Sequence, residues 1–410
     1  MSNSLGSTSV TGNMRRLALP VYLPTLLSAI AQNAVQILLP LYALKVGGGP
    51  AMVAALVGLR GVGTMLSDLP AGLMVAHLGE RTVMSIGLAT LFLASIGCAL
   101  TDSALVLGFL ALGFGAGFGI WLLSRLSLIT EDIPLEQRGR IISVMAGLQR
   151  AGALIGPLLA GFSAETFGYP PVFVASGLLC LLALGLVFIF AKNSDSRNEQ
   201  SHSIELTGII SQHRKIFATA GMVMIFLSAL RHARLLFIPL VGVSIGLDES
   251  DIGLAFSLSS AIDMAMFYPA GQMLDRLGRK FALIPAITLL GLSLMLIPYC
   301  STFLSFTAVA MLAGLGNGFG TGIFMTLGSD FSPKVGRGQF LGVWRLVGDI
   351  GGAAGPFVLG SIAQATSLIL ACSVAGGFAG IGLIILILFV PETLKKPKPR
   401  EIKHGHLFRT

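Results

Sequence analysis

The chain has 410 residues, of which 54% are hydrophobic and only 11% are charged, and its formal net charge is +8. Because soluble domains carry about 25% charged residues, this composition excludes an ordinary soluble protein. Runs of about 20 apolar residues recur along the chain, which is typical of helices that span a membrane. The four cysteines stand singly in apolar runs, without the spacing of a disulfide or metal site.

Twelve apolar stretches predict an all-α integral membrane protein with twelve transmembrane helices. The first six predicted helices cover 17–43, 51–75, 82–101, 104–130, 139–165 and 170–191. The second six cover 216–243, 251–274, 281–300, 303–329, 338–365 and 367–390. The predicted domains are therefore an N-terminal tail (1–16), a six-helix bundle (17–191), a polar linker (192–215), a second six-helix bundle (216–390) and a basic tail (391–410).

The distribution of lysine and arginine predicts the orientation of the chain in the membrane. On the side that holds both termini, the predicted tails and loops carry 20 of the 27 basic residues, whereas one external loop carries Lys45 alone. Because basic residues favour the cytoplasmic side, we expect both termini in the cytoplasm and a multi-pass protein of the cell (inner or plasma) membrane. The positive charge then faces anionic lipid headgroups, so the expected partner is the lipid bilayer and not nucleic acid.

An internal repeat divides the chain into two halves. The segment "GLMVAHLGER" at 72–81 is similar to the segment "GQMLDRLGRK" at 271–280, which lies 199 positions later. The same offset aligns Pro40 with Pro239, and Gly156 with Gly355. Both halves start on the same side and hold six helices, so they form parallel repeats about an axis along the membrane normal.

On these residues the chain resembles the major facilitator superfamily, in its bacterial twelve-helix form. The family carries a Gly-x-x-x-Asp-Arg-x-Gly-Arg-Arg-like motif between helices 2 and 3, often repeated between helices 8 and 9. The second copy matches at Gly271, Asp275, Arg276, Gly278 and Arg279, and the first copy retains Gly72, Gly79 and Arg81 but has Ala76 in place of the acid. The resemblance implies a latch in which Asp275 accepts hydrogen bonds from the start of helix 5 near Gly139. We also expect Arg279 to pair with Asp330, and the latch between helices 2 and 11 to be weak.

Predicted helix 5 contains a second family-like pattern, "RAGALIGPLLAG" at 150–161. It is similar to the glycine–proline pattern of proton-coupled antiporters in the superfamily, through Gly152, Gly156, Pro157 and Gly161. Glycines there allow a neighbouring helix to approach closely. The pattern slightly favours export over import. The antiporters' helix 4 signature is missing, because Phe109 and Leu112 occupy its arginine and glutamine positions.

Charged residues inside the predicted helices should face a partner or an aqueous cavity, because an isolated charge in the bilayer is costly. Six arginines and three acids lie there: Arg60, Arg125, Arg150, Arg231, Arg234, Arg345, Asp68, Asp263 and Asp349. In the family's architecture helix 5 faces helix 8 and helix 11 faces helix 2. The resemblance therefore implies two pairs, Arg150 with Asp263 and Arg60 with Asp349, while Arg345 competes for Asp349 one helical turn away. We expect Arg125 to reach the membrane interface.

The stretch "LRHAR" in predicted helix 7 is the candidate substrate site. The repeat aligns Arg231, His232 and Arg234 with the amide-rich part of helix 1, which contains Gln32, Asn33 and Gln36. Helices 1 and 7 border the central cavity in the family, and guanidinium groups there would bind a carboxylate or phosphate. Alternatively, helix 7 begins later and these residues lie near the cytoplasmic side.

The predicted function is secondary active transport of a small solute, coupled to protons, by alternating access to a cavity at the membrane midplane. An anionic, organic-acid-like substrate is favoured. His232, Asp263 and Asp349 are candidates for the coupling group, and Asp263 is favoured because Asp349 has an arginine on its own helix. We expect no enzymatic activity, no cofactor, no metal and a monomer. The alternatives are a proton-driven multidrug efflux antiporter, a passive channel and a non-transporting protein on the same fold.

Overall fold

The computed structural model describes residues 10–191, 206–333 and 336–394, which form helices joined by short turns, without a β-strand in these ranges. Twelve of the described helices are long and apolar enough to cross a membrane, as predicted. In the first half they are α1 (Gly12–Lys45), α2 (Pro50–Leu78), α3 (Glu80–Ala99), α4 (Ala104–Asp132), α5 (Leu135–Phe167) and α6 (Tyr169–Phe190). In the second half they are α7 (Arg214–Ser244), α8 (Glu249–Arg276), α9 (Arg279–Tyr299), α10 (Phe303–Phe331), α11 (Arg337–Ala365) and α12 (Leu368–Phe389).

The two halves repeat in three dimensions with the offset found in the sequence. Helices α4 and α10 begin at Ala104 and Phe303, and α6 and α12 end at Phe190 and Phe389, each pair 199 positions apart. Even a local irregularity is duplicated, since α1 contains a π-helical turn at Ala18–Tyr22 and α7 contains one at Phe217–Gly221. The prediction of two six-helix bundles related by a parallel repeat is therefore confirmed.

Several helices extend beyond their predicted bounds. The predicted N-terminal tail is helical from Val10, and the predicted linker contains a short helix, Leu206–Gln212. Helix α5 begins at Leu135 rather than 139. Apolar stretches mark the part of a helix in hydrocarbon, whereas the helix itself continues into the polar interface. The rest of the tails and of the linker lies outside the described residues, so the domain boundaries stay a prediction.

Helix α10 differs from the unbroken helix predicted at 303–329. It consists of Phe303–Phe319 and Ile323–Phe331, separated by a turn in which Gly322 has a φ of 74°. A left-handed residue of this kind favours glycine and interrupts the ladder of backbone hydrogen bonds. The equivalent stretch of α4 has the bulky sequence Trp121-Leu122-Leu123 and remains helical.

The two bundles pack closely at one end, whereas glycines at the start of α5 and of α11 face open space at the other. We call the end with the Gly79 and Gly278 turns the motif end, and the end with the 46–49 and 245–248 turns the opposite end. At the opposite end Gly161 of α5 packs on Gly253 of α8, where a Cβ added to Gly161 would lie 3.1 Å from the Cα of Gly253. At the motif end the Cβ positions of Gly139 and Gly338 have no described atom within 4 Å.

Candidate functional site

A cavity of about 360 Å³ lies between the bundles and is bordered by α1, α2, α4, α5, α7 and α11. One wall is apolar and includes Phe114, Phe118 and Leu122 of α4. The polar lining residues are Gln32, Asn33, Gln36, Arg60, Thr64, Gln149, His232, Arg345 and Asp349. The structure therefore brings the predicted amides of helix 1 and His232 together in one cavity, and adds Gln149, which the sequence did not single out.

Arg60 of α2 is a cavity cation without a carboxylate partner among the described residues. Its Nη1 donates a hydrogen bond to the Gln36 side-chain oxygen, and its guanidinium carbon lies 5.5 Å from the centre of the Phe114 ring. A neutral amide and an aromatic face orient a guanidinium but leave its positive charge uncompensated. The predicted Arg60–Asp349 pair is wrong, because Gln36 holds Arg60 and Asp349 lies beside a different arginine.

Arg231 and Arg234 do not line this cavity, so their predicted placement is wrong. The Arg231 Nη2 donates to the carbonyl oxygen of Gly320 at 2.7 Å, in the break of α10. The Arg234 side chain is buried, with Nη1 3.4 Å from the Ser259 hydroxyl and its guanidinium over the Phe256 ring. The rotation of α7 about its axis therefore points His232 at the cavity and the two arginines into the second bundle.

An ion pair joins the two bundles between α5 and α8. The Arg150 Nη1 lies 3.0 Å from Asp263 Oδ1, and its Nη2 donates to the Thr321 hydroxyl at 3.0 Å. The Asn317 amide donates to the other carboxylate oxygen, Oδ2, at 2.9 Å. The contact expected between Arg150 and Asp263 is present, and the role of Asp263 in proton coupling stays a prediction.

A second charge link joins α2 to α11 and has three members. The Arg345 Nε lies 2.7 Å from Asp68 Oδ2, and its Nη2 donates to Asp68 Oδ1 at 3.0 Å. Asp349, one helical turn after Arg345, lies 3.9 Å from the same Nε. The pairing of Asp68 was not predicted, because the sequence analysis assigned Arg345 to Asp349 on its own helix and proposed no partner for Asp68. In the structure α2 continues to Leu78, and Asp68 lies well inside the helix.

The repeated loop motif forms tight turns between helices. Gly79 and Gly278 have φ values of 79° and 120°, which explains glycine at both positions. The expected pair of Arg279 and Asp330 is present, with Nε 2.7 Å from Oδ2. In the first copy Arg81 instead donates to the Phe188 carbonyl oxygen at the end of α6. Of the other motif residues, Arg276 is exposed, Gly271 borders open space, and a Cβ on Gly72 would lie 3.8 Å from Leu123 Cδ2.

Glu392, just after α12, caps the start of α9. Its carboxylate accepts hydrogen bonds from the backbone N–H groups of Arg279 and Lys280, at 2.9 and 3.0 Å. Partial burial acts to raise the pKa of Glu392, but these amides and that of Leu394 outweigh it and lower the pKa. The cap ties the segment after the last helix to the motif loop, and the sequence pattern gave no indication of it.

The predicted Asp275 latch is wrong for this conformation. Asp275 is exposed and forms no hydrogen bond with a described residue near Gly139. The start of α5 is not covered there, since a Cβ on Gly139 would meet no described atom within 4 Å. The links between the bundles lie deeper, at Arg150–Asp263 and Arg345–Asp68.

The glycines of the helix 5 pattern serve close helix packing, as expected. A Cβ on Gly152 or Gly156 would lie 2.7 Å from the Ala29 carbonyl carbon or 2.6 Å from the Ile30 carbonyl oxygen, both in α1. Gly161 contacts α8 instead, and Pro157 lies inside α5. The pattern thus holds α5 against its own bundle and against the other bundle.

Arg125 does not reach the membrane interface, contrary to expectation. Its side chain is buried, with Nη1 3.0 Å from the Thr25 hydroxyl of α1 and the guanidinium over the Trp121 ring. Neither Arg125 nor Thr25 lines the cavity. Arg125 is therefore a packing residue of the first bundle.

Comparison with known proteins agrees with this architecture. The chain matches the profile of the Major Facilitator Superfamily over residues 21–233 and again over 231–410. It is 23% identical to the cis,cis-muconate transport protein of Acinetobacter baylyi, over 82% of this chain and 84% of that protein. It is 25% identical to a homologue of the multi-drug resistance efflux pump PmrA from Lactococcus lactis, over 62% of this chain; this match spans 64% of the relative's length, a little less than two thirds.

The fold is also that of a solved transporter structure. A crystal structure of a D-xylose–proton symporter superposes with a TM-score of 0.73 at 16% identity, covering 93% of this chain and 98% of the symporter chain. At this identity the likeness shows the fold alone. The two successive profile matches meet within α7, the first helix of the second six-helix half. The chain belongs to the Major Facilitator Superfamily.

Proposed function

We propose that this chain is a secondary active transporter that moves a small organic anion by alternating access. The observation that carries the proposal is the uncompensated guanidinium of Arg60 in the cavity between the two bundles. A carboxylate entering the cavity supplies the missing negative charge. The amides of Gln32, Asn33 and Gln149 around it offer further hydrogen bonds to a carboxylate or hydroxyl group.

The shape of the molecule supports alternating access. The bundles meet at the opposite end through Gly161 and Gly253, and at the motif end Gly139 and Gly338 face open space. Rocking the bundles about the deeper links would exchange the open and the closed end. The distribution of lysine and arginine supports a cell-membrane location with the motif end and both termini in the cytoplasm. The direction favoured by the helix 5 pattern, export, stays a prediction, as does a monomer.

One relative is consistent with this substrate class. It is a transport protein for cis,cis-muconate, which is a dicarboxylate. A second candidate function is multidrug efflux, which the apolar wall of Phe114, Phe118 and Leu122 and the relationship to the PmrA homologue favour. The two functions differ in the charge of the substrate, because an unpaired arginine repels a lipophilic cation.

Counterflow in proteoliposomes tests the proposal. Vesicles loaded with cis,cis-muconate or another small dicarboxylate should take up the labelled compound, whereas vesicles loaded with a lipophilic cation should show no exchange. A hydrogen bond to a charged group contributes about 1.5–3 kcal/mol, so Arg60→Gln should weaken anion binding by about 10- to 150-fold. Arg60→Lys should restore part of it.

Arg125→Gln is the matched control for Arg60→Gln. Arg125 also bonds a neutral side chain and stacks on an aromatic ring, but it lies outside the cavity. This variant should lower the unfolding temperature without changing anion affinity. Equal loss of anion affinity in both variants, or exchange of cations only, would contradict an anion site at Arg60.

A further inference from the structure

The three-membered link between α2 and α11 has an unequal number of charges. One guanidinium, that of Arg345, faces two carboxylates. Asp68 takes both close contacts, at 2.7 and 3.0 Å, and Asp349 is left at 3.9 Å. With both acids ionised, the cluster carries one excess negative charge between the bundles.

Asp349 is the member whose bonding is incomplete. Its Oδ2 is buried and has no hydrogen-bond partner among the described residues, although Asp349 and Arg345 both border the cavity. A buried carboxylate oxygen without a donor is destabilised relative to the same oxygen in water. Protonation converts such a group into a neutral acid that can donate a hydrogen bond.

Few other charges face the cluster. Arg60, on the same helix as Asp68, borders the cavity but bonds to Gln36 and forms no ion pair with either acid. From α7, which packs on α11, His232 faces the cavity, and its ring lies against Gly352. The cavity-lining residues of α1, α4 and α5 are amides and apolar groups.

We propose that the Asp68–Arg345–Asp349 cluster binds the coupling proton, shared between its two carboxylates. This inference rests on the proposed transport function and assigns its ion site. Two carboxylates at one site resist simultaneous ionisation, and in a membrane interior the excess charge is costly. One bound proton makes the cluster neutral. Asp263, the acid favoured from the sequence, is matched instead by Arg150 and the Asn317 amide.

The position of the cluster links protonation to the movement of the bundles. Asp68 belongs to the first bundle, and Arg345 and Asp349 belong to the second. When the proton leaves, Asp349 and Asp68 compete for a single guanidinium across the interface between α2 and α11. Protonation therefore changes the attraction between α2 and α11, which belong to different bundles and which the cluster joins.

Infrared difference spectroscopy of the purified full-length protein in lipid nanodiscs tests the site directly. Ordinary aspartate and glutamate side chains are ionised above about pH 6. The wild-type protein should still show the C=O stretch of a protonated carboxyl group there, and the band should disappear at higher pH. The band should be lost in Asp349→Asn or Asp68→Asn and kept in Asp263→Asn, the matched control from the other link between the bundles.

A transport experiment distinguishes failure of the proton site from failure of the proposed transport function. Asp349→Asn should lose the accumulation of anion that an imposed pH gradient drives in the wild-type protein. Two results would overturn the proton site: a band that is absent from the wild-type protein, or one that is lost in Asp263→Asn but kept in both other variants. A normal pattern of bands without counterflow of any anion would instead refute the proposed function and leave the proton site standing.

Discussion

Replacing Gly161 by alanine should drive the bundles apart at the opposite end. The added methyl group would stand 2.5 Å from the Glu249 carbonyl oxygen and 3.1 Å from the Gly253 Cα. Both are backbone atoms of α8, so no side chain can rotate away and the whole helix must shift. Overpacking of this kind costs about 1–3 kcal/mol. The population closed at the opposite end should therefore fall about 5- to 150-fold relative to the alternative conformation.

Gly147→Ala is the matched control on the same helix. Its Cβ position has no described atom within 4 Å, so the substitution adds the helix propensity of alanine without a clash. If the bundles rock as rigid bodies, α5 stays helical and that propensity acts equally in both conformations. Only the Gly161 variant should shift the equilibrium.

Pulsed electron paramagnetic resonance spectroscopy can measure this change in the conformational equilibrium. Spin labels at the exposed positions Ser103 and Ser301, one in each bundle at the opposite end, would report the separation there in a background without the four native cysteines. The Gly161 variant should gain a population at longer distance. An unchanged distance distribution, or an equal change in Gly147→Ala, would refute the packing argument.

Two further predictions concern stability. A double-mutant cycle of Arg150→Ala and Asp263→Ala, measured by thermal unfolding, should give a coupling energy of about 0.5–3 kcal/mol, and additive effects would show that the ion pair contributes nothing. Glu392→Ala should destabilise the protein by about 0.5–1 kcal/mol at neutral pH, since the cap is exposed. Because the pKa of Glu392 is lowered in the folded protein, its contribution is complete above the ordinary value and is lost as pH falls through the lowered one. The difference in unfolding temperature from the wild-type protein should therefore shrink in acid, and a constant difference would contradict the cap.

The fold could be predicted from the sequence because its two strongest signals do not depend on packing detail. Apolar length identifies the spans, and a single offset of 199 aligns helix ends such as Phe190 and Phe389. The facing of helices 5 and 8 that the family resemblance implies, combined with opposite charges at Arg150 and Asp263, also sufficed to predict one link between the bundles.

The candidate site was predicted less well because it depends on helix rotation. Arg231 and His232 are adjacent in sequence, but a step of one residue turns a side chain by about 100°, and the cavity receives only the histidine. The sequence likewise contains many glycines in the spans, and nothing in it distinguished Gly322, where α10 breaks, from those that merely pack. The pairing of Asp68 with Arg345 was missed because Asp349, one turn away on the same helix, was the nearer acid in the sequence, whereas Asp68 approaches Arg345 only through the packing of α2 on α11.

Because of the break in α10, its last nine residues are attached to a neighbouring helix rather than to the rest of α10. The Phe324 carbonyl oxygen, just after the break, accepts a hydrogen bond from the Trp344 indole of α11 at 2.9 Å, and the two rings pack at 5.8 Å. The segment Ile323–Phe331 is thus bound to α11, whereas the turn before it lacks the continuous backbone hydrogen bonds of a helix. We expect Ile323–Phe331 to move together with α11 as a rigid body, with the change of backbone angle at Gly322. The segment Phe303–Phe319 should keep its position in the second bundle.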